Sequence, residues 1–154
     1  VGASGKIVSA FDMARALALG ADWCNSARGF MFALGCIQAQ TCHTGNCPTG
    51  VTTQDPQRQM ALVVPSKAER VHNFHTHTLE ALQELMEASG LKKPSDITPR
   101  HIMRRVSETQ TLHLSELVDT VEAGALLQDD LSALPIVYRD WPLASATQFG
   151  LNAH

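Results

Sequence analysis

Three cysteines stand close together in this chain, spaced Cys36-x5-Cys42-x4-Cys47. They lie in the stretch Gly35-Cys36-Ile37-Gln38-Ala39-Gln40-Thr41-Cys42-His43-Thr44-Gly45-Asn46-Cys47-Pro48-Thr49-Gly50. Thiolates are soft ligands suited to iron–sulfur clusters, zinc or copper(I), and three on one short loop can converge on a single inorganic centre. Gly45 and Asn46 tolerate left-handed backbone and let the loop fold over such a centre. Pro48 follows the third cysteine directly, as a proline does at the end of bacterial cluster-ligand runs. Three thiolates leave one corner of a cubane without a protein ligand, which suits a 3Fe–4S cluster. With His43 as fourth ligand they suit a zinc ion instead. Spacing alone leaves a third reading open, that of small buried hydrophobes or a disulfide.

The rest of the composition narrows the setting. A chain of 154 residues fits one domain or a part of a larger one. Its 44% hydrophobic and 18% charged residues are ordinary for a globular protein. A net charge of −3, with basic residues that neither dominate nor cluster, argues against a nucleic-acid footprint. Ser66-Lys67-Ala68-Glu69-Arg70 and Lys92-Lys93 read as solvated helix faces and ends. No run approaches the ~18 apolar residues of a membrane span. The start, Val1-Gly2-Ala3-Ser4-Gly5-Lys6, has neither a signal peptide's apolar stretch nor an initiator methionine. Four cysteines between positions 24 and 47 look like ligands in a reducing compartment, and the cytoplasm is the expected location.

Along the chain, the first block reads as α/β, in the order strand-end, helix, strand, helix. Residues 1–6 form a glycine-rich turn. Ser9 and Asp12 make a capping box for a helix with Phe11, Ala14, Leu17 and Ala18 on one face and Gly20 at its end. Ala21-Asp22-Trp23-Cys24 is a short strand, and Asn25-Ser26-Ala27-Arg28-Gly29 turns into a helix from Phe30 to about Gln38. Such a succession is what the last two βα units of a (β/α)8 barrel would show, although other α/β folds share it. The cysteine loop ends near Pro56. A mainly helical extension follows. Pro65-Ser66-Lys67-Ala68-Glu69 reads as a capping box, with Val71, Phe74, Thr78, Leu82 and Leu85 along one face and Gly90 as the stop. Thr98-Pro99 predicts a further short helix with Ile102, Met103 and Val106 inward, and Ser115 a third. From Leu131, through Trp141 and Phe149, no period persists. The expected organisation is therefore residues 1–56 as barrel end and cysteine loop, 57–127 as helical extension, and 128–154 as an irregular tail.

The run from Gly20 to Pro56 resembles the flavin- and cluster-binding region of the FMN-binding glutamate synthase family, with all three cysteines in place. The resemblance extends from Val1 through roughly Val106 and fades from about Ser115. It implies that Cys36, Cys42 and Cys47 hold a 3Fe–4S cluster. It also implies that the turn at Gly2, Ala3, Ser4, Gly5 and Lys6 follows barrel strand seven, and that Asn25, Ser26, Ala27 and Arg28 follow strand eight. Loops in those two places, with a helix N-terminus, frequently form a phosphate site, so both are expected to grip the FMN phosphate. The family's first loop is commonly Asp-Gly-Gly, where this chain has Gly2-Ala3-Ser4-Gly5.

The implied activity is that of an FMN-dependent, iron–sulfur glutamate synthase-like oxidoreductase forming glutamate from 2-oxoglutarate, with an electron-donor protein as partner. A methylamine–glutamate N-methyltransferase subunit on the same scaffold is the alternative within the resemblance. A helical module with zinc at the three cysteines and His43 is the alternative outside it. With only the last two strands here, the flavin's ring pocket and most of the substrate site are expected upstream of Val1. Open strand edges would then favour association. Cys24 is expected to be a core cysteine, and His72, His75 and His77 structural histidines rather than ligands. No catalytic residue is assigned.

Overall fold

The computed structural model describes residues 1–147. Its first half holds two short parallel strands, β1 (Gly2–Ser4) and β2 (Trp23–Asn25), joined through helix α1 (Ala10–Ala18). Gly2 pairs with Trp23, Ala3 with Cys24 and Ser4 with Asn25. The stretch expected to be a turn is therefore mostly strand, and only Gly5 and Lys6 remain to reverse the chain, both at positive φ. Pairing with β2, invisible in a run of Gly, Ala and Ser, decided this. Gly2 is required at its position, because a Cβ there would lie 2.5 Å from the Trp23 indole.

Helix α1 starts as the sequence predicts. The Ser9 hydroxyl accepts from the Asp12 amide, and the Asp12 carboxylate accepts from the Ser9 amide. Ala10, Ala14 and Ala18 recur every four residues on its buried face. Such small side chains let the long helix α4 (Val64–Ala88) approach closely. Leu82 of α4 packs into the same core with Ile97, Ile102 and Leu114.

Helix α2 (Arg28–Leu34) ends four residues before the expected Gln38, because Gly35 turns left-handed at φ 114°. It crosses α4 through Phe30 and Phe74, whose rings meet edge to face with centroids 5.2 Å apart. Gly29 permits that approach, since a Cβ there would stand 2.6 Å from the Phe74 ring. His75 also stacks on Phe30, with ring centroids 6.2 Å apart, and His72 and His77 are exposed.

Helix α4 begins at Val64 with Pro65 in its first turn, so Ser66 lies inside the helix and the expected capping box does not form. Proline's fixed φ and missing N–H suit a first turn, which draws the start upstream. Gly90, at φ 71°, ends the helix as expected.

Beyond it the expected helices shrink. Pro99–His101 is a single 3₁₀ turn, and Met103 and Val106 are exposed rather than inward. Met103–Arg105 instead forms β3 of an antiparallel hairpin with β4 (Thr111–His113). The Leu114 amide donates to the Ile102 carbonyl, extending that pairing. Leu114–Glu116 is again one 3₁₀ turn, where a longer helix from Ser115 was expected.

In the tail, Ile136–Arg139 forms the one-turn helix α5, and the Tyr138 hydroxyl donates to the Asp119 carbonyl. The tail's last seven residues, including Phe149, lie outside the described residues. No described helix is long and apolar enough to cross a membrane.

Candidate functional site

The cysteine loop hangs from the end of α2 and is shaped almost entirely by local hydrogen bonds. Gly35 and Cys36 close the helix: the Gly35 amide donates to Phe32 O and the Cys36 amide to Met31 O. That Schellman arrangement sets the direction in which Cys36 leaves. Gln38 and Gln40 then both adopt φ 57°, an uncommon conformation for side-chain-bearing residues outside functional or strained segments.

A 3₁₀ turn carries Cys42, and Gly45 at φ 73° reverses the chain toward Cys47. The Thr44 hydroxyl donates to Thr41 O and accepts from the Asn46 amide. Arg58 Nη1 donates to Asn46 O, and the Thr53 hydroxyl donates to Gly45 O. The returning strap is anchored by the one-turn helix α3 (Pro56–Gln59), which Asp55 caps at the Gln57 and Arg58 amides. Gly50 sits at φ 79° where a Cβ would be 2.3 Å from the Arg58 carbonyl oxygen.

All three cysteines line one pocket in this loop, together with Met31, Thr49 and Thr52. Cys47 is buried, Cys36 half-buried and Cys42 exposed, and all are free thiols, as is Cys24. The Cys47 thiol is acidified to about 6 from 9.0, first by the Thr49 hydroxyl 3.5 Å from Sγ, then by the Thr52 and Thr49 amides. A thiol so placed is held in the thiolate form that binds metals. Thr52 Oγ1 is buried in the pocket wall; it adds to the acidification of Cys47 but makes no well-formed hydrogen bond among the described residues. It is a polar atom that a bound inorganic centre would give something to face.

Among the described residues no three His, Cys, Asp or Glu side chains converge closely enough to hold one metal ion. His43 lies on the exposed turn. Cys24 lines a different pocket, beside Ser26, Phe30 and His75, and burial raises its thiol pKa.

The loops expected to take a phosphate leave the same end of the β1–β2 pair. In the first, Gly5 has φ 96° with nothing within 4 Å of where a Cβ would be, and Lys6 follows at φ 56°. In the second, Asn25 ends β2 and Arg28 opens α2, whose N-terminus receives no side-chain cap from Ala27. The Ser26 hydroxyl donates to Ile7 O at 2.8 Å and fastens the two loops together. Gly5, Lys6, Ser26, Ala27 and Arg28 are thus gathered at one edge. Gly2 and Ala3 lie further back along β1 with Ser4 closing the strand. Lys6 and Arg28 are exposed, and open backbone amides with two cations suit an anionic group.

Sequence reasoning missed two residues. Lys67 and Arg70 of α4, read as a solvated face, line a second pocket whose walls include Gly35, Cys36 and Thr49. Their i, i+3 spacing puts both on one side of the helix, but nothing in it shows what that side meets.

Parallel strands, a loop pair at their carboxyl ends and a three-cysteine loop after the second helix define an α/β protein with its candidate site residues at the ends of strands and helices. A family model described as a conserved region in glutamate synthase matches residues 1–92. The chain belongs to the glutamate synthase family. It is 42% identical over 116 residues to the glutamate synthase large subunit-like protein YerD of Bacillus subtilis, covering 75% of this chain and 22% of that protein. It is 31% identical over 155 residues to ferredoxin-dependent glutamate synthase 2 of Synechocystis, covering 86% of this chain and 10% of the relative. It is 29% identical over 154 residues to ferredoxin-dependent glutamate synthase 1 of Arabidopsis thaliana, again covering 86% of this chain but 9% of the relative. The chain therefore spans about a fifth or less of the curated relatives it matches.

Proposed function

We propose that this chain supplies the phosphate-binding loops and the cluster ligands of an FMN- and 3Fe–4S-dependent, glutamate synthase-like oxidoreductase. On this reading β1 and β2 are the last two strands of a (β/α)8 barrel, and the extension past Pro56 braces the cluster loop. The observation that carries it is the single pocket lined by Cys36, Cys42 and Cys47, with Cys47 acidified by the threonines beside it. When bound, FMN supplies hydride chemistry and the cluster one-electron transfer, for reductive amination of 2-oxoglutarate to glutamate.

The chain's own residues bind and orient. The amides of Gly5 and Lys6, with Ser26, Ala27 and Arg28, would hold the phosphate, and the Ser26–Ile7 hydrogen bond keeps those loops at a fixed separation. The Thr49 hydroxyl and the Thr49 and Thr52 amides would stabilise Cys47 as a thiolate ligand. Apolar side chains left open, such as Phe11, Trp23 and Leu19, are consistent with further elements packing over this part.

Iron, zinc and acid-labile sulfide analysis of the anaerobically purified protein that carries these residues tests the reading. Iron with sulfide is expected, lost in Cys36→Ser, Cys42→Ser and Cys47→Ser and retained in Cys24→Ser. One zinc per chain without sulfide would overturn it, as would equal loss in Cys24→Ser. Glutamate formed from 2-oxoglutarate under reducing conditions is the expected product. N-methylglutamate formed from glutamate and methylamine would assign the other reaction of this scaffold.

A further inference from the structure

Lys67 and Arg70 stand one helical turn apart on α4 and reach back over the junction where α2 gives way to the cysteine loop. An ideal Cβ on Gly35 would be 3.1 Å from Lys67 Nζ and 4.0 Å from Arg70 Nη1, so both cations crowd the residue just before Cys36. Gly35, with φ 114° and no side chain, is what lets the ammonium come so near. The pocket they line shares Cys36, Ile37, Pro48 and Thr49 with the pocket of the three cysteines, so one wall separates cations from thiols.

Among the described residues neither cation has a carboxylate partner. The ion pairs among the described residues join Asp12 to Arg15, Asp55 to Arg58, Asp96 to Lys93, and Asp22 to the Val1 amino group. Lys67 is half-buried, and a cation so placed interacts more strongly with a nearby anion than one fully in water.

As cluster ligands the three cysteines would carry negative charge along that wall, of which Cys36 is itself a part. We infer that Lys67 and Arg70 are tuning residues, whose charge beside Cys36 raises the reduction potential of the cluster this loop holds. The inference rests on the cluster reading above. Adding an electron makes the centre more negative, and a fixed neighbouring cation favours the more negative state. A competing role is plain: cations near a helix C-terminus also favour its last carbonyls. That role stabilises α2 and leaves the potential where it is.

The discriminating measurement is a redox titration of the holoprotein, poised with dithionite and mediators and followed by the EPR signal of the oxidised cluster. Dithionite supplies the one electron. Lys67→Met with Arg70→Gln is expected to lower the potential so that cluster reduction becomes roughly tenfold less favourable, about 59 mV for a one-electron couple. Lys67→Met alone should account for most of it, because Arg70 is the more exposed, and Lys67→Arg should restore the wild-type value. Iron content should stay unchanged throughout. Arg70→Gln, on the exposed side, keeps a measurable variant available should Lys67→Met fail to fold, and is expected to shift the potential in the same direction by less. A loaded cluster with unchanged potential in the double variant, or in Arg70→Gln if that alone folds, overturns the inference while leaving the cluster reading intact. Wild-type protein without iron and sulfide overturns both.

Discussion

The cysteine loop and the α1–α4 core solve the same problem, fixing a chain in one conformation, by opposite means. The core is held by burial. Ala10, Ala14, Ala18, Leu82, Ile97, Ile102 and Leu114 close on one another and make little use of hydrogen-bonding side chains. The loop is held by polar and backbone contacts. Threonine hydroxyls at 44 and 53, the Asp55 cap, Arg58 and left-handed residues do what apolar contact does in the core. Burial is tolerant of small shifts, since hydrophobic attraction has no direction. Hydrogen bonds and positive-φ residues are directional, so they set where Cys36, Cys42 and Cys47 lie but leave the loop sensitive to single backbone changes.

The sharpest contrast comes from Leu82→Ala. It removes the one buried side chain that α4 gives the core and is expected to lower stability by about 3 kcal/mol in urea unfolding. Cys47 alkylation in the surviving folded protein should be unaltered. A change in that reactivity would show that core and loop are one unit.

Gly50→Ala tests the loop in the same way. Left-handed backbone and a Cβ 2.3 Å from the Arg58 carbonyl oxygen are expected to cost about 2 kcal/mol and to halve iron content or worse. Gly45→Ala, at φ 73° with nothing within 4 Å of its Cβ, should cost about 1 kcal/mol. Equal effects would mean that backbone angle alone, and not the contact with Arg58, sets the loop.

Thr49→Val probes electrostatics without moving the chain. In cluster-free protein the pH midpoint of Cys47 alkylation is expected near 6 and should rise toward 9.0 when the Thr49 hydroxyl is removed. A midpoint that stays put would transfer the acidification to the Thr49 and Thr52 amides.

The smallest effect is expected at the cap of α1. Ser9→Ala should cost about 1 kcal/mol. Hydrogen bonds from the Ser9 amide and hydroxyl lower the Asp12 pKa below 3.8. A lowered carboxyl pKa stabilises the fold fully above its unfolded value, and this is lost as pH falls through the lower folded value. The wild-type advantage over Ser9→Ala should therefore shrink below about pH 4, and an advantage independent of pH would show that Asp12 is not involved.

What could be read in advance divides along the same line. The cysteine spacing, the Ser9–Asp12 cap, the α4 face of Val71, Phe74, Thr78 and Leu82 (though not Leu85, which is exposed) and the stops at Gly20 and Gly90 were legible because each depends on residues within about one helical turn, or on a motif within one loop. The errors have a common cause too. Gly2-Ala3-Ser4 became a strand only by pairing with Trp23-Cys24-Asn25 across α1. Met103 left the helical expectation because residues 111–113 offered it a partner strand, while Ile102 stayed inward as expected.

By itself, then, the sequence determined the chemistry on offer, namely three thiols at fixed intervals and glycines where the backbone must reverse. Tertiary structure alone decided what that chemistry faces. Lys67 and Arg70 are ordinary surface cations in any local reading, and they meet Cys36 only because Gly29 and Gly35 let α2 lie close under α4. Contacts between residues some thirty positions apart leave no periodic trace in a single chain, since they are fixed by how the faces of two helices fit and not by the residues beside them.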